Sequence, residues 1–162
     1  MQTSGMKSNF WLSRLREVEQ FLNTVVRKGS YYRLTTSAGG RPVWAYEYGL
    51  RPREKALTNF SAAYRSQLFD TFYGPNNPEH PIVVVVCGTH GAEMEVVVGA
   101  VNLIHILETG TDLRGEKWPQ IASFAKQMRL IIVPLHNPDG RERVEPESLT
   151  GLSFEEFRYW AQ

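Results

Sequence analysis

From Ser8 to about Arg27, the residues Phe10, Trp11, Leu12, Leu15, Val18, Phe21, Leu22 and Val25 recur at three- and four-residue spacing. That period predicts an amphipathic helix, and Lys28 with Gly29 supplies the expected stop. Tyr31 to Thr36 and Val43 to Tyr48 are rich in β-formers and flank the turn-forming stretch from Ser37 to Pro42, which predicts a hairpin. Residues 50–80 read as a long connecting region with a helical turn around Phe60 to Leu68. Ile82 to Cys87 is a continuous apolar, β-branched run, the pattern of a strand buried on both faces of a sheet. Ala92 to Glu108 is apolar almost all round, with Glu93, Glu95, Asn102 and His105 as exceptions, and predicts an interior helix. A further helix is expected from Pro119 through Lys126, then a second buried strand from Leu130 to Pro134. The order strand, helix, helix, strand implies a crossover between parallel strands, and puts the loops after Cys87 and Pro134 at one sheet edge.

Composition narrows the possibilities. A chain of 162 residues with 42% hydrophobic side chains can bury a single core without a covalent or metal staple. A net charge of +1 leaves no electrostatic footprint for nucleic acid. Cys87 is the only cysteine, which excludes an internal disulfide and any C-x-x-C site. The longest fully apolar stretch, Ile82 to Cys87, is far too short to span a membrane. With no leader pattern among the first thirty residues, where Lys7, Arg14, Arg16 and Arg27 interrupt the apolar positions, a cytoplasmic protein with no membrane partner is expected.

Two segments at the expected ligand edge carry candidate chemistry. His90 lies in the turn after the first buried strand, and Glu93 falls in the first turn of the following helix. An imidazole and a carboxylate are two of the three protein ligands in a His2Glu catalytic zinc site, although a first-turn glutamate is also favoured by the helix dipole alone. Asn137-Pro138-Asp139-Gly140 follows the second strand and, taken alone, is an ordinary turn sequence.

Together, Val85-Val86-Cys87-Gly88-Thr89-His90-Gly91-Ala92-Glu93 and Ile131-Ile132-Val133-Pro134-Leu135-His136-Asn137-Pro138-Asp139-Gly140 resemble the zinc metallocarboxypeptidase family. The resemblance implies zinc as cofactor, His90 and Glu93 as its first two ligands, and N-P-D-G as a structural loop beside them. It implies a three-layer α/β/α fold with a mixed, largely parallel sheet, incomplete on its C-terminal side. Residues 1–162 then form the N-terminal portion of one catalytic domain. The implied activity is hydrolytic removal of C-terminal residues from a peptide, or cleavage of a small amide. The family's third zinc ligand and catalytic glutamate have no counterpart up to Gln162, so the catalytic residues are expected beyond it and this chain alone is expected to be inactive. An amidohydrolase-like deacylase of the same superfamily and a non-catalytic remnant are the alternatives. An α/β-hydrolase would need a G-x-S-x-G segment, which is absent.

The remaining candidates read as structural. Arg141, Arg143 and Arg158 match no family motif position and are expected to be solvated. His136 is a minor candidate for a third ligand, His105 a hydrogen-bonded core or boundary residue, His80 a structural residue at the strand entrance, and Cys87 a small core residue, with a reactive thiol as the lesser reading. An incomplete sheet exposes an unpaired edge, through which the chain is expected to self-associate.

Overall fold

The computed structural model describes residues 10–50, 64, 65, 67, 81–144 and 151–160. Helix α1 (Leu15–Val25) precedes a hairpin of β1 (Ser30–Thr36) and β2 (Pro42–Gly49). Then come β3 (Ile82–Val86), α2 (Met94–Thr109), α3 (Pro119–Ala125), β4 (Arg129–Val133), α4 (Pro138–Arg143) and α5 (Phe154–Trp160). The helical turn expected around Phe60 to Leu68 lies largely outside the described residues. None of the described helices is long and apolar enough to cross a membrane.

The strands form a four-stranded sheet in the order β1-β2-β4-β3. β1 pairs antiparallel with β2, β2 antiparallel with β4, and β3 parallel with β4. The sheet is mixed, as expected, but its parallel character is confined to the β3–β4 pair; the hairpin and the β2–β4 ladder make the described part mainly antiparallel. Register brings Tyr46 opposite Ile132, Tyr48 opposite Leu130 and Val85 opposite Ile132 on one face. Against that face pack Val18 and Leu22 of α1, Val97, Val101 and Ile104 of α2, and Ala125 of α3. Each buried Val, Leu or Ile among them contributes roughly 1.5–3 kcal/mol by leaving water. The opposite face carries a smaller cluster of Val43, Ala45 and Val133, to which no described helix contributes, beside an ion pair of Arg129 Nε with Glu47 Oε1 at 2.8 Å. Helices α1, α2 and α3 thus cover the first face of the sheet.

The sequence reading of β3 needs correction. It is not buried on both faces: Val84 is 57% and Val86 50% exposed. β3 has a single described neighbour, β4, so one edge and one face stay open, whereas β4, apolar from Leu130 to Val133, sits between two strands and is largely buried. Apolar composition cannot distinguish an edge strand from a central one.

Helix α1 starts later than its apolar spacing suggests, at Leu15, after an extended Arg14. The backbone at Phe10 is engaged elsewhere, its carbonyl accepting from Asn102 Nδ2 of α2 at 3.4 Å. At the other end Gly29 is not a helix cap, because the chain turns extended already at Val26. Instead the N–H groups of Arg27, Lys28 and Gly29 all donate to the carboxylate of Glu108, at 3.0, 2.8 and 3.0 Å. The Tyr48 hydroxyl donates a fourth bond at 2.8 Å. Glu108, in the last turn of α2, is 6% exposed. Burial raises its carboxyl pKa, but the Gly29, Lys28 and Arg27 amides and the Tyr48 hydroxyl outweigh that and hold it below its ordinary value. Tyr48 is pushed up by burial and by the carboxylate it serves.

Replacing Glu108 by Ala leaves three amides and a phenol without their acceptor and should destabilise the fold by roughly 3 kcal/mol or more. Tyr48→Phe should cost about 1 kcal/mol. Because the folded carboxyl is depressed, its stabilisation is present above the ordinary value of 4.5 and is lost as pH falls through the depressed folded value. Hydrogen exchange at the amides of residues 27–29, followed in both variants and across acid pH, checks all three outcomes.

Candidate metal centre

Backbone pairing continues beyond the ends of the parallel strands. Cys87 N–H donates to Val133 O at 2.9 Å, His136 N–H to Cys87 O at 2.9 Å, and Asn137 N–H to Gly88 O at 3.0 Å. The two exit loops thus leave the same edge hydrogen-bonded to each other. Gly88 reverses the chain at φ +63°, a left-handed conformation that a side chain would strain.

His90 and Glu93 then face each other across one turn. The His90 N–H donates to Glu93 Oε2 at 3.1 Å, and His90 Nδ1 lies 2.8 Å from Glu93 Oε1. The His90 side chain and backbone are the main reasons that the Glu93 carboxyl sits below its ordinary range. Both side chains stay open to solvent, 56% and 42% exposed. A nitrogen and a carboxylate oxygen converging at an accessible sheet edge are donors of the kind zinc takes. Among the described residues no group of three His, Cys, Asp or Glu side chains converges, and the pair offers two such donors.

The N-P-D-G segment forms the start of α4 and holds this loop in place. Asn137 Oδ1 accepts from Gly140 N–H at 2.8 Å, capping α4, while Asn137 Nδ2 donates to Thr89 O at 3.1 Å, next to His90. Pro138 fills the first helical turn and is buried. Asp139 accepts from Ser37 Oγ at 2.9 Å, Gly39 N–H at 2.8 Å and Arg41 Nη1 at 2.9 Å, fixing the β1–β2 turn against α4. The Gly39 amide, the Ser37 hydroxyl and the Arg41 guanidinium hold the Asp139 carboxyl below its ordinary range. Gly91 lies so close to Gly140 that a Cβ on it would collide with the Gly140 carbonyl oxygen.

The family model described as zinc carboxypeptidase matches residues 18–161. The chain belongs to the zinc carboxypeptidase family. Human carboxypeptidase D is 35% identical over 75 residues, covering 46% of this chain and 5% of that protein. Thrombin activatable fibrinolysis inhibitor shares the fold with a TM-score of 0.54 at 13% identity, over 85% of this chain and 28% of its own. A metallo-carboxypeptidase from Burkholderia cenocepacia aligns with a TM-score of 0.52 at 20% identity, over 78% of this chain and 27% of its own. The chain spans less than a third of the length of each.

The other candidates separate in the structure. His136 is exposed and does not join His90 and Glu93 in a three-ligand group, so the structure does not support it as a third ligand. His105 is half-buried as expected, its Nδ1 donating to Thr111 O at 2.7 Å and its ring 5.7 Å from Phe21. Cys87 is partly buried, and desolvation, then the nearby Glu93 charge, push its thiol up, consistent with a packing role. His80 lies outside the described residues. Arg143 and Arg158 are exposed, but Arg141 is 3% exposed and corrects the expectation of a solvated side chain. It lies on the inner side of α4, a position the turn-like sequence Pro138-Asp139-Gly140 did not suggest. Sequence reasoning also missed the grip of Asp139 on Ser37 and Arg41. The available signal was a turn of small and polar residues that needs an external acceptor.

Gly91→Ala should drive the Cβ into Gly140 and destabilise the fold by about 1–3 kcal/mol. Asn137→Ala, which removes the α4 cap and the Thr89 bond, should cost about 1 kcal/mol. Denaturant midpoints of the two variants check both values.

Proposed function

We propose that the protein containing this chain is a metallocarboxypeptidase that removes C-terminal residues from peptides, with zinc held by His90 and Glu93. The observation that carries the reading is the approach of His90 Nδ1 to Glu93 Oε1 at 2.8 Å on an exposed loop locked by N-P-D-G. When bound, zinc polarises the scissile carbonyl and lowers the pKa of its water. The chain's own contribution is positional. His90 and Glu93 supply two donors, Asn137 fixes the carbonyl before His90, and Asp139 anchors that support to the hairpin. The remaining ligand and the group that takes the proton are assigned outside the described residues, because no third His, Cys, Asp or Glu joins the pair among them. Peptide amides are the substrate class that the family description supports. The open edge and exposed Val84 and Val86 of β3 support self-association of the isolated chain.

The purified chain should bind zinc weakly, and His90→Ala should abolish that binding in equilibrium dialysis. Stoichiometric zinc unaffected by the substitution would refute the ligand assignment. The chain alone should release no C-terminal residue from a peptide above a chelated control, and release would show that the missing groups are already present. Light scattering should find oligomers, while a monomer unfolding cooperatively would overturn the role given to the β3 edge.

A further inference from the structure

Helix α2 presents Glu95, Val98, Gly99, Asn102 and Ile106 along one stripe to a cavity of about 330 Å³. That size falls within the range of small-molecule sites. Phe10 and Trp11 form one wall, and Trp118 with Ile121 forms the other. A single side chain on the floor fixes both walls: Asn102 Nδ2 donates to Phe10 O at 3.4 Å, and Asn102 Oδ1 accepts from Leu113 N–H at 3.0 Å. Asp112 sets the loop that carries the second wall, accepting from the Arg114 and Glu116 amides at 2.9 Å each and from the Trp118 indole at 3.2 Å. The floor is open at Gly99, where an added Cβ would meet nothing within 4 Å.

The charges lining this groove do not cancel. Asp112 and Arg114 offset each other: desolvation raises the Asp112 carboxyl, but its hydrogen bonds and the Arg114 charge outweigh that. The Arg114 guanidinium is also seated on Phe10, 4.0 Å from the ring centroid. Glu95 is exposed and no hydrogen bond or ion pair is seen for it among the described residues, so the lining carries one net negative charge alongside two indoles. Trp11 and Trp118 are 40% and 43% exposed, open to a ligand rather than closed into the core. Tryptophan faces attract cations more strongly than other rings, and alkylated ammonium groups suit them because their methyl groups are weakly hydrated.

We propose that this groove binds a small organic cation bearing an alkylated ammonium group, with Trp11 and Trp118 against its methyl groups and Glu95 as its counter-charge. The site is separate from the His90–Glu93 pair and does not depend on zinc. The probes are benzyltrimethylammonium, its anionic counterpart phenylacetate, and a pentapeptide carrying trimethyllysine, each titrated into the full chain by tryptophan fluorescence.

Benzyltrimethylammonium should quench saturably, and Glu95→Gln should weaken it on the order of tenfold. Gly99→Leu should fill the floor and abolish binding while leaving the far-ultraviolet circular dichroism and thermal midpoint unchanged or higher, since glycine disfavours a helix. Binding of the peptide more tightly than the free ion would identify a modified protein side chain as the natural source, and the reverse order a free small molecule. Equal binding of phenylacetate, full affinity in Glu95→Gln, or full affinity in a folded Gly99→Leu variant would each overturn the proposal. So would linear, non-saturating quenching by the cation.

Discussion

The parallel pairing of β3 with β4, carried past the strand ends by the bonds from His136 and Asn137 to Cys87 and Gly88, is the constraint on which the candidate site depends. Two loops separated by a long helical crossover would otherwise have no reason to meet. Because the ladder continues into both loops, Thr89 lies within reach of Asn137, and Gly91 lies against Gly140. The His90–Glu93 pair is therefore built on the rigid end of a sheet. A side-chain pair carried on loops set by backbone hydrogen bonds is held on a rigid support.

Two carboxylates do the same work at larger sequence separation. Glu108 collects the turn after α1 onto the far end of α2, and Asp139 collects the β1–β2 turn onto α4. Each is an ionised acceptor for backbone amides that no regular element satisfies, and bonds to charged acceptors are among the stronger kind. The N-terminal segment, which has no motif of its own, is thereby tied to both ends of the motif-bearing half.

Helix α2 links the distinct surfaces of the chain. Its N-terminal end carries Glu93 and the sheet-edge loop, one side packs on Tyr48, Leu130 and Ile132, and its outer stripe floors the aromatic groove. This explains an apolar pattern that runs almost all round the helix although one side faces a cavity. Val98 and Ile106 are buried beneath groove walls made by Phe10, Trp11 and Trp118, which belong to other segments.

The sequence by itself determined the hairpin, the two helices of the crossover, both strands of the parallel pair and the closeness of His90 to Glu93. These rest on local period and short spacing, which a backbone of fixed helical and extended geometry converts directly into position. It also carried the family membership, through His90, Glu93 and Asn137 to Gly140. Only the tertiary structure decided that, among the described residues, Ile82 to Val86 is an exposed edge while Arg129 to Val133 is central, because the number of neighbours of a strand is a property of the sheet and not of its residues. Tertiary structure alone also gave Gly29 and Asp139 their roles and buried Arg141. A polar group finds its partner in three dimensions, and Glu108 reaches Gly29, and Asp139 reaches Gly39, across sequence distances on which local pattern carries no information.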